Sequence, residues 1–352
     1  MRLSGGVGRA VVGVAISVVA LAVVVRSVDL GATWAVLRTA QPQWVALLVA
    51  FVVADIILRA VRWKVLLAPV ATVPFGATLG SLLVGYLANN ILPARLGEIV
   101  RSHDLGERTG VSRSTILGTI VVERVVDTVV VVAIASVAIL VLSVRGIVAS
   151  AVLVGLAVTA LLVVGIAVGI AAHRLPGAER VATWLDRWPR VRSVLVRLRE
   201  GLSIAKDART MGAAVLLSLG SWSCTVLAFA AAAQSVGIEP TIGQAALLAA
   251  GVNLATAIPA APGYVGTFEL AAVTIAASVG IDREPALAIA VLVHATSLLL
   301  TSVGGAVAFA LGQRRARARN AVAAAGSADM VDDGVLSVPG SPADEVARTK
   351  GV

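Results

Sequence analysis

The sequence predicts an all-α polytopic membrane protein of about six spanning helices and two broken, re-entrant segments. Three observations lead there. Hydrophobic residues make up 58% of the 352 residues and charged residues only 14%, where a soluble domain carries about a quarter. Apolar runs long enough to span recur along the chain, with basic residues gathered at their ends. Two further apolar runs are interrupted by proline, glycine and polar residues, which a straight helix does not accommodate.

Taken in order, Val7–Val25 follows Arg2 and Arg9 and is long enough to cross, so it reads as an uncleaved first helix even though Ala20-Leu21-Ala22 imitates a signal-peptidase site. Trp44–Leu58, Ile116–Leu142, Ile147–Ile170, Met211–Ala233 and Pro285–Leu311 are the other spans. Val73–Leu92 and Ile242–Val279 are the broken segments. Positive charge at Arg2 and Arg9, at Arg59, Arg62 and Lys64, between Arg95 and Arg113, through His173–Arg209 and at Arg314–Arg319 sets both termini on the cytoplasmic side. With only Lys64, Lys206 and Lys350 as lysines, the arginine and Ala/Val bias suggests a high-GC bacterial genome and so a bacterial cytoplasmic membrane. With both flanks of Val73–Leu92 on that side, the segment must dip in and return. The same parity makes Ile242–Val279 enter from the other face, which is what an inverted repeat produces. An echo agrees: Gly85 stands eight residues before Pro93, and Gly251 eight before Pro259.

Residues 1–315 thus read as one membrane domain, with 171–210 an amphipathic basic loop on the inner surface. Residues 316–352 read as a basic stretch followed by a disordered tail, small and polar from Asn320. The net charge of +9 reflects this topology and an attraction to anionic lipid, not nucleic-acid binding, because the basic residues form no solvated patch interleaved with aromatics. Cys224 is the sole cysteine, and His103, His173 and His294 lack metal-ligand spacing, so no metal and no cofactor is expected. No GxxxxGK[ST] loop is present to bind a nucleotide phosphate.

Ionisable groups at membrane depth cost about 2.5–3.5 kcal/mol each, so clusters of them need a partner or a use. The first cluster is Asn90, Pro93, Arg95, Gly97, Glu98 and Arg101. Its guanidiniums suit a phosphate, and Glu98 suits a cationic headgroup or a neighbouring arginine; the alternative is a loop whose charges reach the interface. The second is Glu123, Arg124 and Asp127, with both carboxylates on one helix face, either a structural ion pair or a cavity lining. The third runs from Pro259 through Gly263 and Gly266 to Glu269, which either caps a helix or meets substrate. His294 and Asn253 read as interhelical hydrogen bonders and Trp63 as an interfacial anchor.

Arg59-Ala-Val-Arg62-Trp63-Lys64, Asn90-Ile-Leu-Pro93-Ala-Arg95-Leu-Gly97-Glu98, Glu123-Arg124-Val-Val-Asp127 and Pro262-Gly263-Tyr264-Val265-Gly266-Thr267-Phe268-Glu269, in that order, resemble the flippase-like membrane domain of lysylphosphatidylglycerol synthase/flippase proteins. Tyr264 stands where that family usually has a second glycine. The resemblance covers roughly residues 10–315 and implies a multi-helix domain, with re-entrant segments, that moves a polar-headgroup lipid between leaflets. The forty or so mostly polar residues after Leu311 are too few for the soluble aminoacyl-transferase domain of the full-length synthases. Synthesis is therefore not carried over, and a transporter is expected rather than an enzyme.

The expected partner is a membrane phospholipid or other polar lipid, and a homo-oligomer stays open. Asn90, Arg95, Glu98, Arg101, Glu123, Arg124, Asp127, Gly263 and Glu269 are the candidate substrate-binding residues. The alternatives are an integral membrane enzyme of lipid-linked phosphates and an accessory subunit of envelope synthesis.

Overall fold

A computed structural model describes residues 4–92, 96–171, 202–256 and 260–335. Arg95, Pro93, Pro259 and nearly all of the predicted amphipathic loop lie outside the described residues. The described chain is helical, with eleven α-helices numbered in order: α1 Ser4–Ser27, α2 Leu30–Arg38, α3 Pro42–Leu67, α4 Phe75–Ile91, α5 Gly97–Thr109, α6 Arg113–Leu142, α7 Ile147–Ala171, α8 Ala208–Ser235, α9 Ile242–Ala255, α10 Thr267–Ala277 and α11 Arg283–Val335. Two compact units divide it, Met1–Ala306 and Val307–Val352. The second contains the end of α11, which stays helical to Val335, further than the tail expected to be disordered from Asn320. Its Ala321–Ala325 stretch is rich in the strongest helix former.

Helices occupy all six predicted spans. Four stretches, Pro42–Leu67, Arg113–Leu142, Ala208–Ser235 and Arg283–Arg314, have the length and apolar composition to cross a membrane, and a fifth does if α1 and α2 count as one. That pair bends by 82°, because Asp29 ends one helix and caps the next, accepting from Gly31 N at 2.7 Å and Ala32 N at 3.0 Å. Asp207 caps α8 in the same way, accepting from the Arg209 and Thr210 amides and the Thr210 hydroxyl. The Thr210 hydroxyl bond holds its carboxyl below the ordinary range. The cap is therefore fully present above the ordinary aspartate range, and acidification through the lowered value frays the start of α8.

The first broken segment differs from its prediction. Phe75–Ile91 does not dip and return; it is one 17-residue helix, and the return leg is α5, in the stretch expected to be a cytoplasmic loop. The polar sequence of α5 concealed a buried helix because the face it buries mixes Arg101, 3% exposed, and Ser102, 2% exposed, with Gly97, Leu105 and Gly106. The two legs are antiparallel. Asn89 Oδ1 accepts from Gly97 N at 2.7 Å, and a Cβ on Gly85 would stand 2.9 Å from Arg101 Cβ. A Cβ on Gly97 would collide with the Gly85 carbonyl oxygen. Gly97→Ala is expected to destabilise the protein by about 1–3 kcal/mol; an unchanged melting curve in detergent would contradict this backbone contact.

Ile242–Val279 forms the predicted two-legged segment. α9 and α10 run antiparallel, with Gln244 Nε2 donating to Val279 O at 2.9 Å and Gly251 facing Ile275. Between them the described chain makes a short 3-10 turn, Pro262–Tyr264, that packs against α4. The apolar core joins α1, α3, α8, α9, α10 and α11 through residues such as Leu48, Phe229, Leu247 and Ile289, and Leu79 and Leu83 of α4 pack against it, so both broken segments are fastened to the same bundle.

Candidate functional site

On α6 the spacing of Glu123 and Asp127 turns both carboxylates toward α3, which answers with Arg59 and Arg62 one turn apart. Arg62 is fully buried and bridges the two acids, donating from Nη1 to Asp127 Oδ1 at 2.7 Å and from Nη2 to Glu123 Oε1 at 3.1 Å. Its Nη1 also donates to Ser218 Oγ on α8 at 2.7 Å. Arg101, from α5, donates to the other oxygen of Glu123 and stacks 4.2 Å from the Trp63 ring centroid. Arg59 donates from Nε to both oxygens of Asp55, four residues before it, and from Nη1 to Asp127 Oδ2 at 3.1 Å. Trp222 completes the shell, donating from Nε1 to Asp127 Oδ1 at 2.9 Å. One connected network thus ties α3, α5, α6 and α8 together.

Four guanidiniums (Arg59, Arg62, Arg101, Arg124) meet three carboxylates (Asp55, Glu123, Asp127) in this network. The surplus cation is Arg124. Its Nη2 donates to Glu123 Oε1 at 3.0 Å, its Nη1 stands 4.0 Å from Asp127 Oδ2, and its buried Nε has no hydrogen-bond partner among the described residues. Its side chain is 41% exposed, whereas Glu123 beside it is 0%. That exposed end opens into a cavity of about 270 Å3.

The cavity lies where the two broken segments meet. α3 contributes Asp55 and Arg59; α4 contributes Tyr86, Asn89 and Asn90; α5 contributes Glu98. From the other segment come Asn253, Thr256, Tyr264 and Phe268, and α11 adds His294, Ser297 and Thr301. Glu98 and Arg124 both line it, so the cavity holds a cation and an anion in one polar space beside the neutral pair of Asp55 and Arg59. It has the chemistry for a phosphate at Arg124 and for hydroxyl or ammonium groups at Glu98 and the amides.

Of the candidate substrate-binding residues, Asn90, Glu98 and Arg124 line the cavity. Arg101, Glu123 and Asp127 do not; they form the buried scaffold behind Arg124. Gly263 and Glu269 stand behind His294, while Arg95 is outside the described residues. Glu269 takes the helix-capping role, accepting from Gly266 N at 2.7 Å, and it also contacts His294. Trp63, expected at the membrane interface, is 0% exposed and donates to Thr119 Oγ1 at 3.1 Å. Asn253, expected to bond between helices, instead donates to Ala249 O of its own helix at 2.7 Å. Tyr264 replaces the second glycine of the motif yet keeps a left-handed backbone, φ +58°, beside Gly263 at φ +69°.

Asp55, Arg59 and Arg62 were missed as site residues. The charges of α3 read as topology markers, but Asp55 four residues before Arg59, inside an apolar run, carried the signal. Among the described residues no three histidine, cysteine, aspartate or glutamate side chains converge as metal ligands.

A bundle of long apolar helices around an internal ion-pair network and a polar cavity defines a multi-pass membrane protein. The chain belongs to the family described as the lysylphosphatidylglycerol synthase TM region, whose model matches residues 10–305. It is also similar to the glycosyltransferase AglD of Haloferax volcanii, 27% identical over 330 residues, covering 84% of this chain and 53% of that protein. The chain therefore spans about half the length of this curated relative.

Proposed function

We propose that this protein moves a lipid with a phosphate-containing polar headgroup between the leaflets of the bacterial cytoplasmic membrane, with both termini in the cytoplasm. The observation that carries the reading is the cavity between the two broken segments, where Arg124 has an exposed guanidinium face and Glu98 lies in the same space. Broken segments that meet at a polar site are the usual place for a transported group in a membrane protein. Arg124 takes the phosphate; Asn90, Asn89 and Glu98 take the rest of the headgroup; Arg101, Glu123 and Asp127 fix the position of Arg124. Membership of a family of lipid-synthase membrane regions supports a lipid substrate.

The test is leaflet exchange of fluorescent phosphatidylglycerol and phosphatidylethanolamine in liposomes holding the purified protein. Exchange above protein-free vesicles, without nucleotide, is expected. No exchange by folded protein would set the reading aside. The similarity to about half of a glycosyltransferase favours a second reading, in which the chain is a membrane partner of lipid-linked glycan synthesis. That reading is tested by adding polyprenyl-phosphate sugars to the same vesicles.

A further inference from the structure

We propose that Glu269 and His294 hold one exchangeable proton in the cavity wall and that its release couples headgroup passage to proton movement. This rests on the translocation reading. His294 is buried between α10 and the 3-10 turn, and both of its ring nitrogens face acceptors. Nδ1 stands 2.6 Å from Glu269 Oε1, and Nε2 stands 2.7 Å from the Gly263 carbonyl oxygen. A backbone carbonyl only accepts, so Nε2 carries a hydrogen. At 2.6 Å a hydrogen must also lie between Nδ1 and Oε1, whichever atom owns it. The pair is therefore imidazolium with carboxylate, or neutral imidazole with carboxylic acid; either way it contains one proton more than a neutral imidazole beside a carboxylate. Glu269 Oε2 already accepts from Gly266 N, which keeps the proton on the other oxygen's side.

Loss of that proton leaves a ring lone pair facing an acceptor. If the lone pair falls on Nε2 it repels the Gly263 carbonyl; if on Nδ1 it repels Glu269. One of the two His294 hydrogen bonds that tie α11 to the second broken segment then breaks. The turn so released holds Gly263 and Tyr264 at left-handed angles, a conformation disfavoured for a tyrosine, and Tyr264 is itself cavity wall. The proton leaves through the cavity that His294 lines. The titratable and charged groups facing it there are Asp55 and Arg59 from α3, Tyr86 from α4, Glu98 from α5, Arg124 from α6 and Tyr264 from the turn; α8, α9 and α10 line the cavity with neutral side chains. Asp55 and Arg59 neutralise one another, and Arg124 is held by Glu123.

Glu269→Gln is the decisive variant, because a glutamine fits every bond without the extra proton. Its carbonyl accepts from Gly266 N, its amide donates to Nδ1, and Nε2–H still donates to Gly263. Two readouts separate the site from the transport reading. In pH-stepped infrared difference spectra of purified protein carrying ring-labelled histidine, wild type should show a proton titrating on the pair and E269Q should lack it. In liposomes of phosphatidylglycerol and phosphatidylethanolamine with fluorescent phosphatidylglycerol and a clamped membrane potential, a pH difference of one unit should skew the leaflet distribution by up to about tenfold for one proton per lipid. E269Q should show no skew. No titrating proton in wild type, equal leaflets in wild type at every gradient, or wild-type accumulation by E269Q would each overturn the proposal. If folded wild type exchanges no lipid under any condition, the translocation reading and the coupling fall together, while the infrared arm still decides the proton site.

Discussion

Glu123→Gln is expected to destabilise the protein by about 3–5 kcal/mol, the cost of breaking a buried ion pair by changing one partner. Glu123 is wholly buried and accepts from three arginines on three helices: Arg62 at 3.1 Å, Arg124 at 3.0 Å, and Arg101. The amide of glutamine keeps the shape but offers one accepting oxygen, and its nitrogen then points a donor at a guanidinium. Two carboxylates remain for four guanidiniums. Thermal unfolding in detergent should show a large fall in melting temperature. Adding Arg101→Met to the same protein should recover part of the loss, since it removes one stranded cation. Additive losses in the double variant would mean that the two groups are not coupled as the network requires.

Arg124→Gln should behave in the opposite way. Its partner Glu123 keeps Arg62 and Arg101, and the Arg124 side chain is 41% exposed, so folding should change little. Lipid exchange should fall by about tenfold or more, because a charge-assisted hydrogen bond to a phosphate contributes about 1.5–3 kcal/mol. Arg124→Lys should be intermediate, keeping the charge but losing the planar fork. An exchange rate equal to wild type in a folded Arg124→Gln protein would remove Arg124 from the pathway. A collapse of stability matching that of Glu123→Gln would make it scaffold instead.

The fold class was legible because apolar runs of spanning length seldom occur outside a membrane, and all six predicted runs are helices. The polar cluster after Val73–Leu92 was legible as a place of interest but not as a helix: α5 lacks an apolar stripe, and its buried Arg101 finds its partner 22 residues away. Arg62 was misplaced for a related reason. A basic residue at the end of an apolar run looks like a cytoplasmic flank, and only the position of α6 beside α3 shows that it turns inward to Glu123 and Asp127. The sequence marked Glu269 and His294 separately, as cap and hydrogen bonder. That they share a bond needed the fold, because 25 residues separate them and no local period links them.

Within each broken segment the two legs are joined by contacts of unequal tolerance. At position 97 an added methyl group meets the backbone of the opposing leg, which has no way to yield; at position 251 it meets only the tip of Ile275, 2.7 Å away, which can rotate aside. Random substitution therefore wears the two contacts at different speeds: position 97 retains its glycine while position 251 drifts. Gly251 is also one member of the echo that pairs it with Gly85, so any trace of a duplication fades there early, and related sequences should keep a glycine at position 97 more often than at position 251.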